Sequence, residues 1–439
     1  EFVVTTRTRL RFETVLPEHA NMPRARATLS TGVAAEWSVA PWLDLRAHAS
    51  LLDVDSAFTN GPDGVEVVDP DVVPGSGDEI RVVRDELDAR SAQQDLRGRL
   101  AGTLRLSDAR GWRSRERGGV EISVTAGGEA VHQDSRSRSR SPDFGAPTSS
   151  TVLQEDATRT ESTFVLAELA LPDAGPLARP VVTAGVRHDD HSEAGGESSP
   201  HAGARADVAA TGTTLRASYG EGFRAPKPSE LFDPFVGAAD LQAETSRSLD
   251  AGVRQPLLDG ALVAEVTWFR LEVEDLIAFD AAATSPSRPF GALRNLRRTR
   301  TEGTEWALAW DAGAGFTVRG AYTRQRPEDL ETGRDLPNRS RSFGSLGVTW
   351  ENGPLELGLH AVLAARSHDQ GGEHVYPEPR ERRVPGRLRL VDLTARWRAN
   401  ESLTLFARIE NLLDDDHVAA PFAPAGPPLG AYVGAQWDF

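Results

Sequence analysis

Across 439 residues the chain is 39% hydrophobic and 26% charged, with a net charge of -16 and no cysteine. The acidic balance argues against nucleic acid as a partner, and the missing thiols exclude a disulfide framework or a thiolate metal site. No run approaches the roughly 18 apolar residues of a membrane helix, but a barrel that crosses on strands of alternating hydrophobicity keeps a polar average and stays within these bounds.

The chain opens EFVVTTRTRL, without the charged n-region and apolar core of a signal peptide. An exported protein of this sequence is therefore expected to be mature or trimmed. Lys227 is the single lysine, a codon-usage signature with no chemical meaning. Strands are expected near 3–14, 26–38, 42–56, 94–107, 118–133 and 158–171. Residues 57–93 and 134–157, rich in Asp, Ser, Gly and Pro, read as long mobile loops. The run SRSRSRS at 135–141 reads as a solvated loop tip.

Further strands are expected near 179–190, 200–210, 213–222, 243–255, 260–272, 299–311, 314–325, 341–351, 354–366, 387–398, 401–410 and 430–439, about eighteen in all. From 172 onward short connections (near 172–178, 209–212, 256–259, 311–313, 351–353 and 398–401) alternate with long ones. The long ones lie near 191–199, 223–243, 273–298, 326–340, 367–386 and 411–429. Long outer loops facing tight inner turns are the habit of a membrane barrel. An even strand count puts both termini on one side.

The strands carry period-two alternation. At 402–410, Leu403, Leu405, Ala407 and Ile409 share one face, and Ser402, Thr404, Phe406, Arg408 and Glu410 the other. At 388–398, Val391, Leu393, Ala395 and Trp397 oppose Asp392, Thr394, Arg396 and Arg398. The last strand sets Ala431, Val433, Ala435, Trp437 and Phe439 against Tyr432, Gln436 and Asp438. An apolar outside with a charged inside is the inverse of a soluble barrel. A lumen this wide cannot be filled by side chains, so inward charges stay wet. Blade repeats of about 40–50 residues, the mark of a propeller, are not seen. The fold class is therefore all-β, a large antiparallel transmembrane β-barrel over 1–439. Because a free strand edge is costly in lipid, 430–439 is expected to close the barrel against 3–14.

Residues 213–232 read TTLRASYGEGFRAPKPSELF. Tyr219, Gly220, Gly222, Phe223, Arg224, Ala225, Pro226, Glu230 and Leu231 resemble the barrel motif of TonB-dependent outer-membrane receptors. Residues 184–192, followed by Pro200 and Gly203, resemble the family's preceding strand end. Leu241, Glu244 and Gly252, then Phe269 with Asp275, Leu276 and Ile277, resemble the following strands. Asn295, Leu296, Gly303 and Glu305 fit a further family run, and only the basic character of the usual strand start survives at Asn338, Arg339 and Ser340. Glu410, Asn411, Leu412, Leu413 and Asp414 resemble the penultimate signature, with Leu413 in place of Phe, and Phe439 is a familiar last residue. The likeness is close over about 160–439 and loose before it. It implies a barrel of about 22 strands filled by an N-terminal plug and preceded by a TonB-binding segment. Neither is evident here, and residue 1 already reads as barrel.

His188, Asp189, Asp190 and His191 invite a metal reading, but consecutive strand residues diverge to opposite faces, so a strand-to-loop junction is the better account. Asp414, Asp415 and Asp416 with His417 lack the spaced ligands and glycine of a calcium loop and read as a solvated acidic loop. Glu221 and Arg224 read as structural groups of the rim. No nucleophile elbow or phosphate loop appears, so no enzyme, catalytic residue, cofactor or metal site is expected, and no ligand-binding residue is assigned. The resemblance implies a monomeric outer-membrane receptor in lipid. It would import a scarce small molecule such as a ferric siderophore or cobalamin, energised through TonB when a plug is present. Loops 223–243, 273–298, 326–340, 367–386 and 411–429 are the candidate binding surface. The alternatives are a passive plugless pore or a structural barrel, and a soluble β-protein.

Overall fold

The computed structural model describes residues 2–15, 24–60, 87–106, 119–142, 149–227, 230–231, 236–280, 282–285, 291–336, 339–365, 388–415 and 428–437. They form one antiparallel sheet of eighteen strands, the barrel wall. The strands are β1 (Phe2–Val15), β2 (Arg24–Ala40), β3 (Leu43–Asn60), β4 (Leu87–Arg105), β5 (Glu121–Pro142) and β6 (Ser149–Ala170). There follow β7 (Leu177–His191), β8 (Gly195–Val208), β9 (Thr213–Arg224), β10 (Glu244–Leu257), β11 (Leu262–Asp280) and β12 (Ala292–Gly313). The last six are β13 (Phe316–Asp329), β14 (Ser342–Asn352), β15 (Leu355–Ala364), β16 (Leu388–Arg398), β17 (Leu403–Glu410) and β18 (Gly430–Trp437). Each strand pairs antiparallel with its sequence neighbours, an uninterrupted up-and-down meander.

The register turns the period-two sequence pattern into two chemically distinct faces. Leu215, Val253, Val266, Trp306 and Tyr322 stand side by side across β9–β13. One residue along each strand, Arg216, Gly252, Thr267, Glu305 and Thr323 form the matching row on the opposite face. Leu403, Leu405, Ala407 and Ile409 align with Trp397, Ala395 and Leu393 on the apolar face, while Arg408 and Glu410 lie on the other, as the alternation requires. Among the described residues the buried apolar side chains are Ala170, Leu231, Ala238, Ala292 and Leu336, with Pro226 and Pro327. The large ones stand out instead: Leu100 is 62% and Leu96 55% exposed. A wall with so little internal core and so continuous an apolar surface needs an apolar surrounding.

At one end the strands join through tight turns. Gly315 makes the β12–β13 turn in the left-handed region (φ 84°), and a Cβ there would lie 1.9 Å from the carbonyl oxygen of Glu351. Both facts exclude any other residue without backbone movement. The outcome departs from the sequence reading in four places, three of them at the other end. Residues 135–141 are not a loop tip but part of β5, and the loops expected at 57–93 and 134–157 shrink because β3, β4, β5 and β6 run on beyond the apolar belt. The loop expected at 191–199 is a turn at 192–194, so the alternation of short and long connections has an exception. The loop expected at 273–298 is largely strand, since β11 continues to Asp280 and β12 begins at Ala292. The shared cause is that polar residues pair into ladders as well as apolar ones once a neighbouring strand supplies the hydrogen bonds; composition marks where the apolar belt stops, not where the sheet stops.

The fourth departure is the seam. Among the described residues β1 pairs with β2 and β18 with β17, and no ladder joins β18 to β1. Val433 is 87% exposed and Phe2 64%, as side chains on strands with one bare edge are.

Candidate functional site at the long-loop rim

The motif at 219–231 builds a knot where β9, β10 and β11 end. Arg224, the last residue of β9, faces Glu244, the first of β10, in register. Its guanidinium donates to both carboxylate oxygens, Nε to Oε2 at 2.7 Å and Nη2 to Oε1 at 2.5 Å, and its third nitrogen donates to Glu230 at 2.8 Å. Such two-pronged charge-assisted bonds fix direction as well as distance. Glu230 also accepts from the Lys227 backbone N–H (2.8 Å), while the N–H groups of Glu230 and Leu231 donate to the Lys227 carbonyl (2.8 and 3.1 Å). Glu244 in turn accepts the Ile277 N–H at 2.8 Å, which ties β11 into the knot. Burial works to raise the Glu244 pKa, but the Arg224 and Ile277 bonds outweigh it and hold the group ionised, below its ordinary range. Arg224 is raised, the Glu244 bond being the largest cause.

A second set of bonds sews the following loop onto the β11–β12 hairpin. Asn295 accepts from the Gln242 N–H (2.8 Å) and donates to the carbonyls of Gln242 (3.0 Å) and Asp275 (2.6 Å). Asp275 offers that carbonyl from a left-handed backbone (φ 57°). Leu293 N–H donates to Val236 and Ala238 N–H to Glu230. Leu231, Ala238 and Ala292 are buried where these segments meet. The described residues between Arg224 and Glu244 are thus tied into the rim, and Arg224 and Asn295 are their two anchors.

The other residues singled out from sequence separate as the alternation requires. Asp189 and His191 lie on the charged face; His188 and Asp190 lie on the apolar one, where His188 Nδ1 and Ser198 Oγ are 3.0 Å apart. Asp189 joins a wall network instead: Arg187 Nε donates to it (2.8 Å), Ser162 Oγ donates to it (2.6 Å), and Arg187 also donates to Ser162 (2.7 Å). Asp415 accepts from the Arg389 backbone and guanidinium (2.9 and 3.1 Å), and Asp414 accepts from Leu429 N–H (3.0 Å). Both carboxylates therefore shape the loop after β17. Asp416 and His417 lie outside the described residues. Glu221, on the apolar-face side of the rim, accepts from the Tyr219 hydroxyl.

His191 closes the turn at 192–194, its Nδ1 accepting the N–H groups of Glu193 (3.1 Å) and Ala194 (3.2 Å). Only the neutral ring can accept there. Burial lowers its pKa from 6.5, against an opposing pull from Glu193. Because the folded form resists the proton, the unfolded chain binds it more readily, so the turn is stable above about pH 6.5 and loses stability as pH falls below it. Amide exchange at Glu193 and Ala194, corrected for intrinsic rates, should accelerate between pH 7 and 5. A flat profile would disprove the cap.

A further feature was readable in the sequence but passed over. Trp37, Trp310, Trp350, Trp397 and Trp437 all fall on the apolar face, next to the tight-turn end. Phe316 packs beside Trp350, ring centroids 6.1 Å apart. Tryptophan recurring beside four of the tight turns, β2–β3, β12–β13, β14–β15 and β16–β17, is the signal that would have found this girdle. At the opposite border of the belt the same face changes to ion pairs, with Arg270 3.0 Å from Glu302 and Arg300 2.8 Å from Glu272.

The family model for the TonB dependent receptor-like beta-barrel matches residues 5–412. The vitamin B12 transporter BtuB of Vibrio vulnificus is 27% identical over 206 residues, 46% of this chain and 31% of that protein. The ferripyoverdine receptor of Pseudomonas aeruginosa is 24% identical over 211 residues, 45% of this chain and 26% of that protein. The matched stretches thus span about a third or less of those relatives. The solved structure of the copper transporter OprC superposes over 100% of this chain and 69% of its own, with a TM-score of 0.74 at 16% identity, which establishes the shared fold. The family consists of receptors and transporters and not of enzymes. With its meander of strands, its rim motif and this match over nearly the whole length, the chain belongs to the TonB-dependent receptor β-barrel family.

Proposed function

We propose that residues 1–439 act as one barrel domain spanning the outer membrane of a Gram-negative-type cell, with the long-loop rim outward. In this reading the barrel imports a scarce small molecule, of the ferric siderophore or cobalamin type, using energy relayed through TonB. The observation that carries the membrane placement is the apolar belt, bounded by tryptophans at one border and by ion pairs at the other. On β12 the belt runs from Trp310 to Glu302, about 26 Å along the strand at ~3.3 Å per residue and nearer 20 Å for a strand tilted by ~40°, close to the ~25 Å apolar band of such barrels. The rim knot supports ligand capture by holding loop segments in a fixed shape, which lowers the ordering cost of binding. The import reading draws on a relative that is a vitamin B12 transporter and another that is a ferripyoverdine receptor.

The test is uptake by cells carrying the intact gene, offered a panel of labelled ferric siderophores and cobalamin. Uptake of one of them that stops when TonB is deleted is the expected result. Large stable single-channel currents from the purified intact protein, with uptake indifferent to TonB, would point to a passive pore instead.

A further inference from the structure

The wall forks at the long-loop rim. The β8–β9 ladder ends at His201 and Gly220, yet β8 stays paired with β7 as far as Gly195, and β9 with β10 as far as Arg224. Residues 195–200 and 221–224 are therefore strand with one bare edge each, on the two sides of a notch. At every other ladder of the described residues, at most one of the two strands runs on past the last pair by more than one residue.

The sequence explains where the ladder stops. Along a strand in a sheet, backbone groups turn alternately to one neighbour and to the other. The Val208 carbonyl accepts from Gly212 of the β8–β9 turn (2.8 Å), and Ala209 N–H donates to Pro176 on the β7 side (2.9 Å). Even-numbered residues of β8 thus turn their groups toward β9. The next pair in register would join Pro200 to Glu221, and proline has no N–H to give. Beyond it, Ser198 and Gly196 on β8, and Glu221 and Phe223 on β9, direct N–H groups into the notch. None of the four has a backbone partner there among the described residues. The β8 edge is also sterically open, since Gly195, Gly196, Ser198 and Ser199 carry small side chains or none. Lysines, bulges or a covering segment, which commonly blunt such an edge, are missing from it among the described residues.

The notch is acidic. Residues 188–200 read HDDHSEAGGESSP, with four acids and no arginine or lysine. A cavity of about 250 Å³ opens there, with Glu197, Glu221, Glu272, Glu274 and Arg247 in its lining. Glu272 is held by Arg298 (2.9 Å) and Arg300 (2.8 Å), while Arg247 lies 3.8 Å from Glu221 and 3.9 Å from Glu274. Glu197 has no cation beside it among the described residues.

We propose that the notch docks an extended peptide bearing basic side chains, which adds to the wall as a strand. Its backbone would pair with the edge at Gly196 and Ser198, and a lysine or arginine would enter the cavity beside Glu197. Free strand edges take peptides in this way, with main-chain bonds supplying affinity and side-chain pockets the choice. The unmatched carboxylate selects a basic peptide over an acidic one. The proposal goes beyond the import reading and does not depend on it.

Fluorescence anisotropy on the purified intact protein in detergent tests this, with a labelled octapeptide alternating threonine and lysine. It should bind roughly tenfold more tightly than one alternating threonine and glutamate, the scale of one or two exposed ion pairs, and less tightly at high salt. The lysine peptide with alternate backbone amides methylated should not bind. Glu197→Gln should weaken binding about three-fold. Ser198→Pro should weaken it about five-fold, the scale of one net hydrogen bond, and removes an N–H that is unpaired in the free protein. Amides of Gly196, Ser198 and Glu221 should exchange fast in the free protein and slow on addition of the peptide. Equal binding of the two peptides, undiminished binding of the methylated one, or unchanged affinity in both variants would overturn the proposal. So would protection of these amides in the free protein, which would mean that the chain itself fills the notch. Should Ser198→Pro fail to fold, the methylated peptide on wild type puts the same question to the edge.

Discussion

Replacing Arg224 by alanine is expected to free the segment between β9 and β10 from the rim while leaving the barrel wall paired. The side chain is 37% exposed, against 12% for Glu244 and 20% for Glu230. Its loss leaves two largely buried carboxylates without their cation. Breaking a fully buried pair costs about 3–5 kcal/mol and an exposed one at most about 1 kcal/mol. The intermediate burial here places the cost near 2 kcal/mol, or about a 30-fold change in a local opening equilibrium. Hydrogen exchange locates it. The amides of Ala238, Gln242 and Leu293, which bond to Glu230, Asn295 and Val236, should exchange about 30-fold faster. Amides in the middle of the β9–β10 ladder, such as Ala217 and Ala251, should not change. Equal acceleration at both sets would show that Arg224 holds the wall and not the loop. Arg224→Lys should fall between, because an ammonium cannot make the two parallel bonds to Glu244.

Leu308→Arg is expected to cost about 2–4 kcal/mol of barrel stability in lipid, the scale for arginine deep in the apolar band, while Ala309→Arg costs well under half as much. Leu308 shares the apolar face with Trp306 and Trp310, and Ala309 lies on the opposite face between them. Both positions are exposed in the chain itself, so protein packing alone would tolerate arginine at either. Only a surrounding that is lipid on one side and water on the other separates the two. Urea unfolding in phosphatidylcholine vesicles reads the difference, and equal costs would remove the membrane placement of this face.

These two expectations draw on different levels of information. The assignment of Leu308 and Ala309 to opposite faces follows from alternation along one strand, and the same reasoning located all eighteen strands. It separated His188 from Asp189 for the same reason. The role of Arg224 could be suspected from its motif, but its partners could not. Glu244 and Ile277 come from two other strands, and which residue of each reaches the guanidinium depends on register.

What the sequence determined by itself was whatever is encoded at a period of two: the number of strands, their two faces, the tryptophan border of the belt, and the family through its rim motif. Side-chain direction in a strand is fixed by backbone geometry, so no neighbour is needed to read it. Tertiary structure alone decided how far the strands continue past the apolar belt, as in β5 through 135–141 and β11 to Asp280. A polar segment can be loop or ladder with equal local propensity, and the choice rests on whether an adjacent strand completes its hydrogen bonds. It also decided that β9 parts from β8 after Gly220 and that β18 meets no ladder with β1 among the described residues, because register and closure are relations between distant segments that no local pattern contains.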